Sequence, residues 1–291
     1  MEKYSRWSDL STGINPFVPQ LFASEEAANS RRLGLVTAKG GHSTGSSRVG
    51  PGDVVVCNYT SFVEILYLAR RFSPVFVFAT EGKTDNGGLV HVCGLPEALY
   101  RSLAMPVSAE RVKPTRKIAD VVRRASGPIV ILPEGARSNG KAVLRFIPLL
   151  ENLPVKTRVH LVAFRYEFKH FSPSHSAGSG WLHLFWMAFH LYHTIRVTVL
   201  NARDLNLKEL IPATMLRSKK QESSKTLTTV QVEKLRSLLA AMLRTKVVDL
   251  GPKDFVSFNA YWKHVNSGGR QPASQFTDRK APHEHAQWAK R

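Results

Sequence analysis

Short apolar runs recur along the chain, separated by polar stretches and by segments whose apolar residues return at helical spacing. Val54, Val55, Val56 and Cys57 form one such run, Val75 to Phe78 a second, and Ile129 to Leu132 a third. Runs of this length, bounded by Gly, Pro or Ser, predict strands buried on both faces of a sheet. Between the first two, Phe62 to Arg71 carries helical spacing and ends on the basic pair Arg70 and Arg71, as a helix carboxyl end prefers. Before the third, Thr115 is placed to cap a helix with Ile118, Val121, Val122 and Ala125 on one face, ending at Gly127. Residues 159–166 and 195–199 read as two further strands, and the stretch from Trp181 to His193 is aromatic and apolar with interspersed histidines. Thr228 and Gln231 form a capping box for a helix bearing Val232, Leu235, Leu238, Leu239, Met242 and Leu243.

Strands alternating with helices predict a single α/β domain with a largely parallel central sheet flanked by helices. Such a sheet places ligands at the carboxyl ends of its strands. The domain is expected over residues 53–265. Residues 1–52 read as a leader and a flexible connection, Gly- and Ser-rich over 37–52, and residues 266–291 as a mobile basic tail. A hydrophobic content of 43% over 291 residues supports a core of that size.

Charge narrows the partners. Lys and Arg number 41 against 22 Asp and Glu, a formal net charge of +19. An anionic partner follows, whether membrane surface, nucleic acid or phosphorylated small molecule. Nothing but charge favours nucleic acid, since no nucleic-acid motif is present. The two cysteines, Cys57 and Cys93, are too few for a disulfide scaffold and lack metal-ligand spacing. There is no apolar stretch long enough to cross a bilayer as a helix, so contact with a membrane would be peripheral.

The residues that follow the third strand carry the chemistry: Pro133, Glu134, Gly135, Ala136, Arg137, Ser138, Asn139 and Gly140. Gly135, Gly140 and Lys141 match most of a nucleotide-binding P-loop. Ala142, however, supplies no hydroxyl for magnesium, and Pro148 stops the helix that such a loop must open. Glu134 to Ser138 instead resembles the E-G-x-R-S motif of the glycerolipid acyltransferases, which esterify lysophosphatidate and related lysophospholipids with acyl-coenzyme A. Upstream, Asn58 to Glu64 (NYTSFVE) occupies the place of that family's N-H-x-S-x-x-D motif. Phe146 and Pro148 resemble the apolar stretch that follows, and the leader, with Met1 to Tyr4 and Gly13 to Phe17, resembles a fungal branch of lysophosphatidate acyltransferase-like proteins. The resemblance covers roughly residues 1–20 and 50–265.

The resemblance implies transfer of an acyl chain from acyl-coenzyme A to a lysophospholipid, lysophosphatidate giving phosphatidate, in phospholipid or triacylglycerol synthesis. Acyl-coenzyme A is a co-substrate, and no metal or bound cofactor is required. It implies that Tyr59 and Glu64 stand at the catalytic positions and that Asn58, Ser61, Glu134, Gly135, Arg137 and Ser138 bind substrate, Arg137 through the phosphate. In the family a histidine takes the hydroxyl proton, and its aspartate orients it. Here those positions hold Tyr59 and Glu64. A phenol of ordinary pKa near 10 is about one part in a thousand ionised at neutral pH, so it makes a poor base. Glu64, His91 and His160 are alternative bases. A second reading is therefore a catalytically silent relative that binds lysophospholipid and acts in membrane traffic or at lipid droplets. The family's hydrophobic anchor has no counterpart between leader and domain. The Trp181 to Tyr192 segment reads either as an interfacial helix or as a core helix, and a basic surface adds about 1 kcal/mol per Lys or Arg near anionic lipid. Peripheral association with the endoplasmic reticulum or lipid droplets is the resulting expectation.

Overall fold

In the computed structural model, residues 4–6, 20–29, 32, 33, 35, 49–79, 89–104, 116–168, 171–190, 192–205 and 226–268 are described. The strands are β1 (Tyr4–Arg6), β2 (Gln20–Ala27), β3 (Val54–Cys57), β4 (Val75–Ala79), β5 (Leu89–Cys93), β6 (Arg116–Lys117), β7 (Ile129–Leu132), β8 (Ala142–Val143), β9 (Val159–Glu167), β10 (Tyr192–Leu200) and β11 (Lys246–Val247). The helices are α1 (Phe62–Phe72), α2 (Leu95–Leu103), α3 (Ile118–Arg124), α4 (Gly180–Ala188), α5 (Thr229–Leu243) and α6 (Pro252–Asn266).

One large sheet runs in the order β1-β2-β10-β9-β3-β7-β4-β5-β6. Its centre, β9-β3-β7-β4, is parallel, as the apolar runs predict, and antiparallel pairs appear toward both edges. β3 and β7 are buried along their whole length. Successive side chains of a strand point to opposite faces, and the core divides accordingly. Val54, Val56, Ile129 and Ile131 pack with Ile118 and Val121 of α3 and Leu235 and Leu239 of α5. Val55, Cys57, Val130 and Leu132 pack on the other side with Ile65 and Leu68 of α1 and Ala98 and Leu103 of α2. Each such fully buried aliphatic side chain contributes roughly 1.5–3 kcal/mol.

Helix ends follow local chemistry. The Thr228 and Gln231 capping box is present at the start of α5. Ser61 caps α1, its hydroxyl accepting from the Val63 amide at 3.3 Å. At α3 the expectation needs correcting: the cap position is Lys117 and the helix spans Ile118–Arg124, short of Gly127. Arg116 and Lys117 pair with β5, so the helix cannot begin earlier; Thr115 lies outside the described residues. β2 belongs to the segment that the sequence assigns to the leader, yet it is a strand of the main sheet, parallel to β10. Its Glu25 accepts from the Tyr67 hydroxyl (2.9 Å) and Arg71 Nε (3.2 Å) of α1. Most of the rest of the leader, most of the 37–52 connection and residues 269–291 lie outside the described residues.

α4 is not a core helix. Trp181, Leu182, Phe185, Trp186 and Phe189 are each more than half exposed along it, while Gly180 and Met187 are buried. Gly180 is required there, because a Cβ would stand 2.0 Å from the Leu103 carbonyl oxygen at the end of α2.

Candidate active site at the strand carboxyl ends

β3 and β7 are parallel neighbours, Val54 opposite Ile129 and Val56 opposite Ile131, so the turns that leave them emerge side by side. The two motifs thereby meet. The Tyr59 amide donates to Glu134 Oε1 at 3.1 Å, and the Ser138 amide donates to the Tyr59 carbonyl at 2.8 Å. The other Glu134 oxygen, Oε2, accepts from the Leu144 amide at 3.2 Å. Glu134 is therefore a brace between the two turns. Burial pushes its carboxyl up to about 8 against the lowering effect of the Leu144 and Tyr59 amides.

Gly135 adopts φ 62°, and a Cβ there would lie 2.3 Å from Ile147 Cδ1 and 3.1 Å from Pro252 Cγ. Left-handed backbone costs a non-glycine residue roughly 1–2 kcal/mol, and Pro252 has little room to yield. Gly135→Ala is expected to destabilise the fold by about 2–3 kcal/mol, measured as a shift in the urea midpoint at unchanged slope.

The first motif is internally satisfied. Glu64 accepts from the Thr60 amide at 2.9 Å, from the Thr60 hydroxyl, and from the Tyr166 hydroxyl at 3.3 Å. Burial pushes its carboxyl up to about 8, opposed by those Thr60 and Tyr166 contacts. Glu64 so bound orders the turn. Asn58 bridges to β9, its Nδ2 donating to the Phe164 carbonyl (3.0 Å) and its Oδ1 accepting from the Phe164 amide (2.8 Å). Ser138 Oγ accepts from the Gly140 amide at 3.3 Å. These polar groups hold the strand ends in register.

Tyr59 and Arg137 complete the cluster. Tyr59 is buried and packs edge-on against Phe78 with ring centroids 6.4 Å apart. Burial drives its phenol far above its ordinary value, Arg137 opposing and Glu64 and Cys93 adding. Its proton stays on at neutral pH. Arg137 is 4% exposed. Its guanidinium donates to the Ser102 carbonyl and, at 3.4 Å, to the Ala104 carbonyl. Among the described residues it has no ion pair, with Glu64 and Glu134 both committed elsewhere. Desolvation lowers its pKa accordingly. A buried cation on carbonyl oxygens alone favours an anion as its missing partner.

The alternative histidine bases stand elsewhere. His160 sits at the amino end of the sheet, 3.4 Å from Asp53 Oδ2, and its Nδ1 accepts from the Ala202 amide at 3.3 Å. His91 Nε2 is taken up by Glu97 at 2.7 Å and Arg101 at 3.2 Å. His91, Cys93 and Glu97 bring their ligating atoms within 4.8 Å of one another. The Arg101 guanidinium, 2.8 Å from Glu97, already fills the place of a cation. The P-loop is not formed either: Ala142 and Val143 are strand β8, paired with β11, where a helix should begin.

One further histidine is at the site, and no motif announced it. His175, in the loop between β9 and α4, donates its amide to the Thr60 carbonyl at 3.1 Å, and its ring is buried. Its only sequence signal is position, in a loop that leaves the same end of the sheet as the two motifs.

No family model matches the chain, and no solved structure matches it. Among curated proteins it is similar to one from Schizosaccharomyces pombe named "Putative lysophosphatidic acid:oleoyl-CoA acyltransferase", 27% identical over 119 residues, which cover 40% of this chain. The match spans 38% of that protein's length.

Proposed function

We propose that the chain transfers an acyl group from acyl-coenzyme A to the free hydroxyl of a lysophospholipid, with lysophosphatidate giving phosphatidate. The observation that carries this reading is Arg137, a buried guanidinium without a carboxylate partner among the described residues, at the carboxyl end of a parallel sheet. Its planar fork suits the lysophosphatidate phosphate. Glu134 and Gly135 shape the turn around it. Tyr59, which keeps its proton, donates to the oxyanion that develops on the thioester carbonyl. Glu64 orders the turn that presents Tyr59, and Asn58, Ser61 and Ser138 hold the same strand ends.

The exposed aromatic side chains of α4 support peripheral contact with a membrane at the endoplasmic reticulum or lipid droplets, where Trp and Phe sit well at the interface. α6 adds exposed Phe258 and Trp262, and its Asn259 donates to the Ser176 carbonyl at 3.4 Å, beside the loop that precedes α4. No helix among the described residues is long and apolar enough to cross a membrane.

Tyr59 at the family's base position also supports a second reading, a silent relative that binds lysophospholipid without turnover. Purified protein supplied with lysophosphatidate and acyl-coenzyme A separates the two. Release of coenzyme A thiol, at least tenfold faster with lysophosphatidate than with a monoacylglycerol that lacks the phosphate, is the expected result. Saturable lysophosphatidate binding without thiol release would leave the silent relative standing.

A further inference from the structure

Burial leaves His175 in an unusual state: it is 5% exposed, and among the described residues neither ring nitrogen finds a hydrogen-bond partner. Buried polar atoms are nearly always paired, and each one left open costs about 1–3 kcal/mol. The exceptions need a reason, and a ligand that supplies the partner is one. The backbone of Ala177 and Gly178 lies near the ring without hydrogen-bond geometry. The surroundings hold the ring in place all the same. Its amide is tied to the Thr60 carbonyl, the residue directly after Tyr59. One face meets His183 with centroids 4.9 Å apart, and His183 in turn stacks on Phe171 at 4.7 Å. The Arg137 charge acts on Tyr59, His175 and His183 alike, so the imidazole lies within electrostatic reach of the guanidinium.

Resting on the acyl-transfer reading above, we propose that His175 is the general base of this site, taking over from a loop after β9 the role that Tyr59 cannot fill from the turn after β3. An open ring nitrogen of His175 accepts the proton of the lysophospholipid hydroxyl while that oxygen attacks the thioester carbonyl carbon. The C–S bond then breaks, the ester forms, and the imidazolium returns its proton to the leaving coenzyme A sulfur. No oxidant, metal or further reactant enters the balance.

Charge around the ring supports the assignment. Burial first, then the positive charge of Arg137 and the neighbouring His183, push the imidazole down to about 4. It is thus neutral at pH 7, with a lone pair to offer. A phosphate bound on Arg137 offsets the second of these effects, though not burial, and so raises the imidazole toward the range where a general base works best. Binding the lipid prepares the base that will deprotonate it.

The test compares wild-type protein with His175→Ala and His175→Gln in thiol release, lysophosphatidate affinity and thermal melting. Expected is a fall of 10²- to 10⁴-fold in kcat for both variants, with affinity within about threefold of wild type and partial recovery of His175→Ala by added imidazole. Glutamine fills the space and forms hydrogen bonds but accepts no proton, so activity near wild type in His175→Gln would overturn the proposal by making the residue structural. Loss of lysophosphatidate affinity in step with kcat, without imidazole rescue, would overturn it by making His175 a binding group. Wild-type protein that binds lysophosphatidate but releases no thiol would overturn the acyl-transfer reading itself, and the base with it.

Discussion

An Arg137→Met protein is expected to melt at or slightly above the wild-type temperature and yet to lose two to three orders of magnitude in kcat/KM for lysophosphatidate. The two halves have one cause. Taking a guanidinium out of water costs several kcal/mol, and attraction to a carboxylate normally offsets that cost. Among the described residues Arg137 has only the Ser102 and Ala104 carbonyls to offset it. Methionine fills a similar volume without the charge, so what the fold loses in two hydrogen bonds it regains in desolvation. Function has no such compensation. Two charge-assisted bonds to a phosphate contribute roughly 3–4 kcal/mol together, which is a factor of about 10² to 10³. Turnover of a monoacylglycerol, which has no phosphate to lose, should change by less than about threefold. Arg137→Lys keeps the charge but not the fork and should recover only part of the loss. Thiol-release kinetics alongside differential scanning fluorimetry check both halves. A large fall in melting temperature with phosphate preference intact would make Arg137 a structural residue.

Glu134→Ala is expected to do the opposite, striking the fold before the chemistry. The Glu134 carboxylate is fully buried and accepts from the Tyr59 amide on one oxygen and the Leu144 amide on the other. Alanine leaves both amides without partners in a place water does not reach, at about 1–3 kcal/mol each, with a cavity added. The sum is roughly 3–5 kcal/mol, or a fall of about 8–15 °C in melting temperature for a domain of this size. Glu134→Gln should lie between, because its amide group turns an NH₂ toward one of two donors that both require an oxygen. Urea unfolding of the three proteins measures the series. A Gln variant as unstable as Ala would show that two acceptor oxygens, rather than the shape of the side chain, carry the brace.

These two residues also mark where sequence reasoning stops. Glu134 and Arg137 stood out because β7 is an unmistakable buried run and the turn after it resembles a known motif, once Ala142 and Pro148 set the P-loop reading aside. The parallel centre was readable for the same reason, since a strand buried on both faces, as β3 and β7 are, has no polar positions to obscure it. What each side chain touches was not readable. The Arg137 partners are backbone carbonyls from the end of α2 and the residue after it, contributed by no particular residue type, and the Glu134 partners are backbone amides. His175 escaped notice because a lone histidine in a Ser- and Gly-rich loop has neither period nor spacing, and only the shared direction of β9 and β3 brings it to the site. α6 was obscured because Val256, Phe258, Tyr261, Trp262 and Val265 are exposed, so its apolar residues do not trace a single buried stripe. β2, with Ser24, Glu25 and Glu26 in its second half, has a weak strand composition, and pairing with β10 decides its state.

That pairing has a practical consequence for expression. A fragment cut at residue 53 would contain both motifs, α1 to α6 and every central strand, and would look complete. It would also strip β2 from β10 and leave a nine-residue strand, carrying Ile195 and Val197, with a row of unpaired amides and carbonyls along one side. An open edge of that kind templates strand addition from a second molecule. Inclusion bodies from such a fragment would report on its boundary rather than on the foldability of its core, and a useful fragment begins ahead of Gln20.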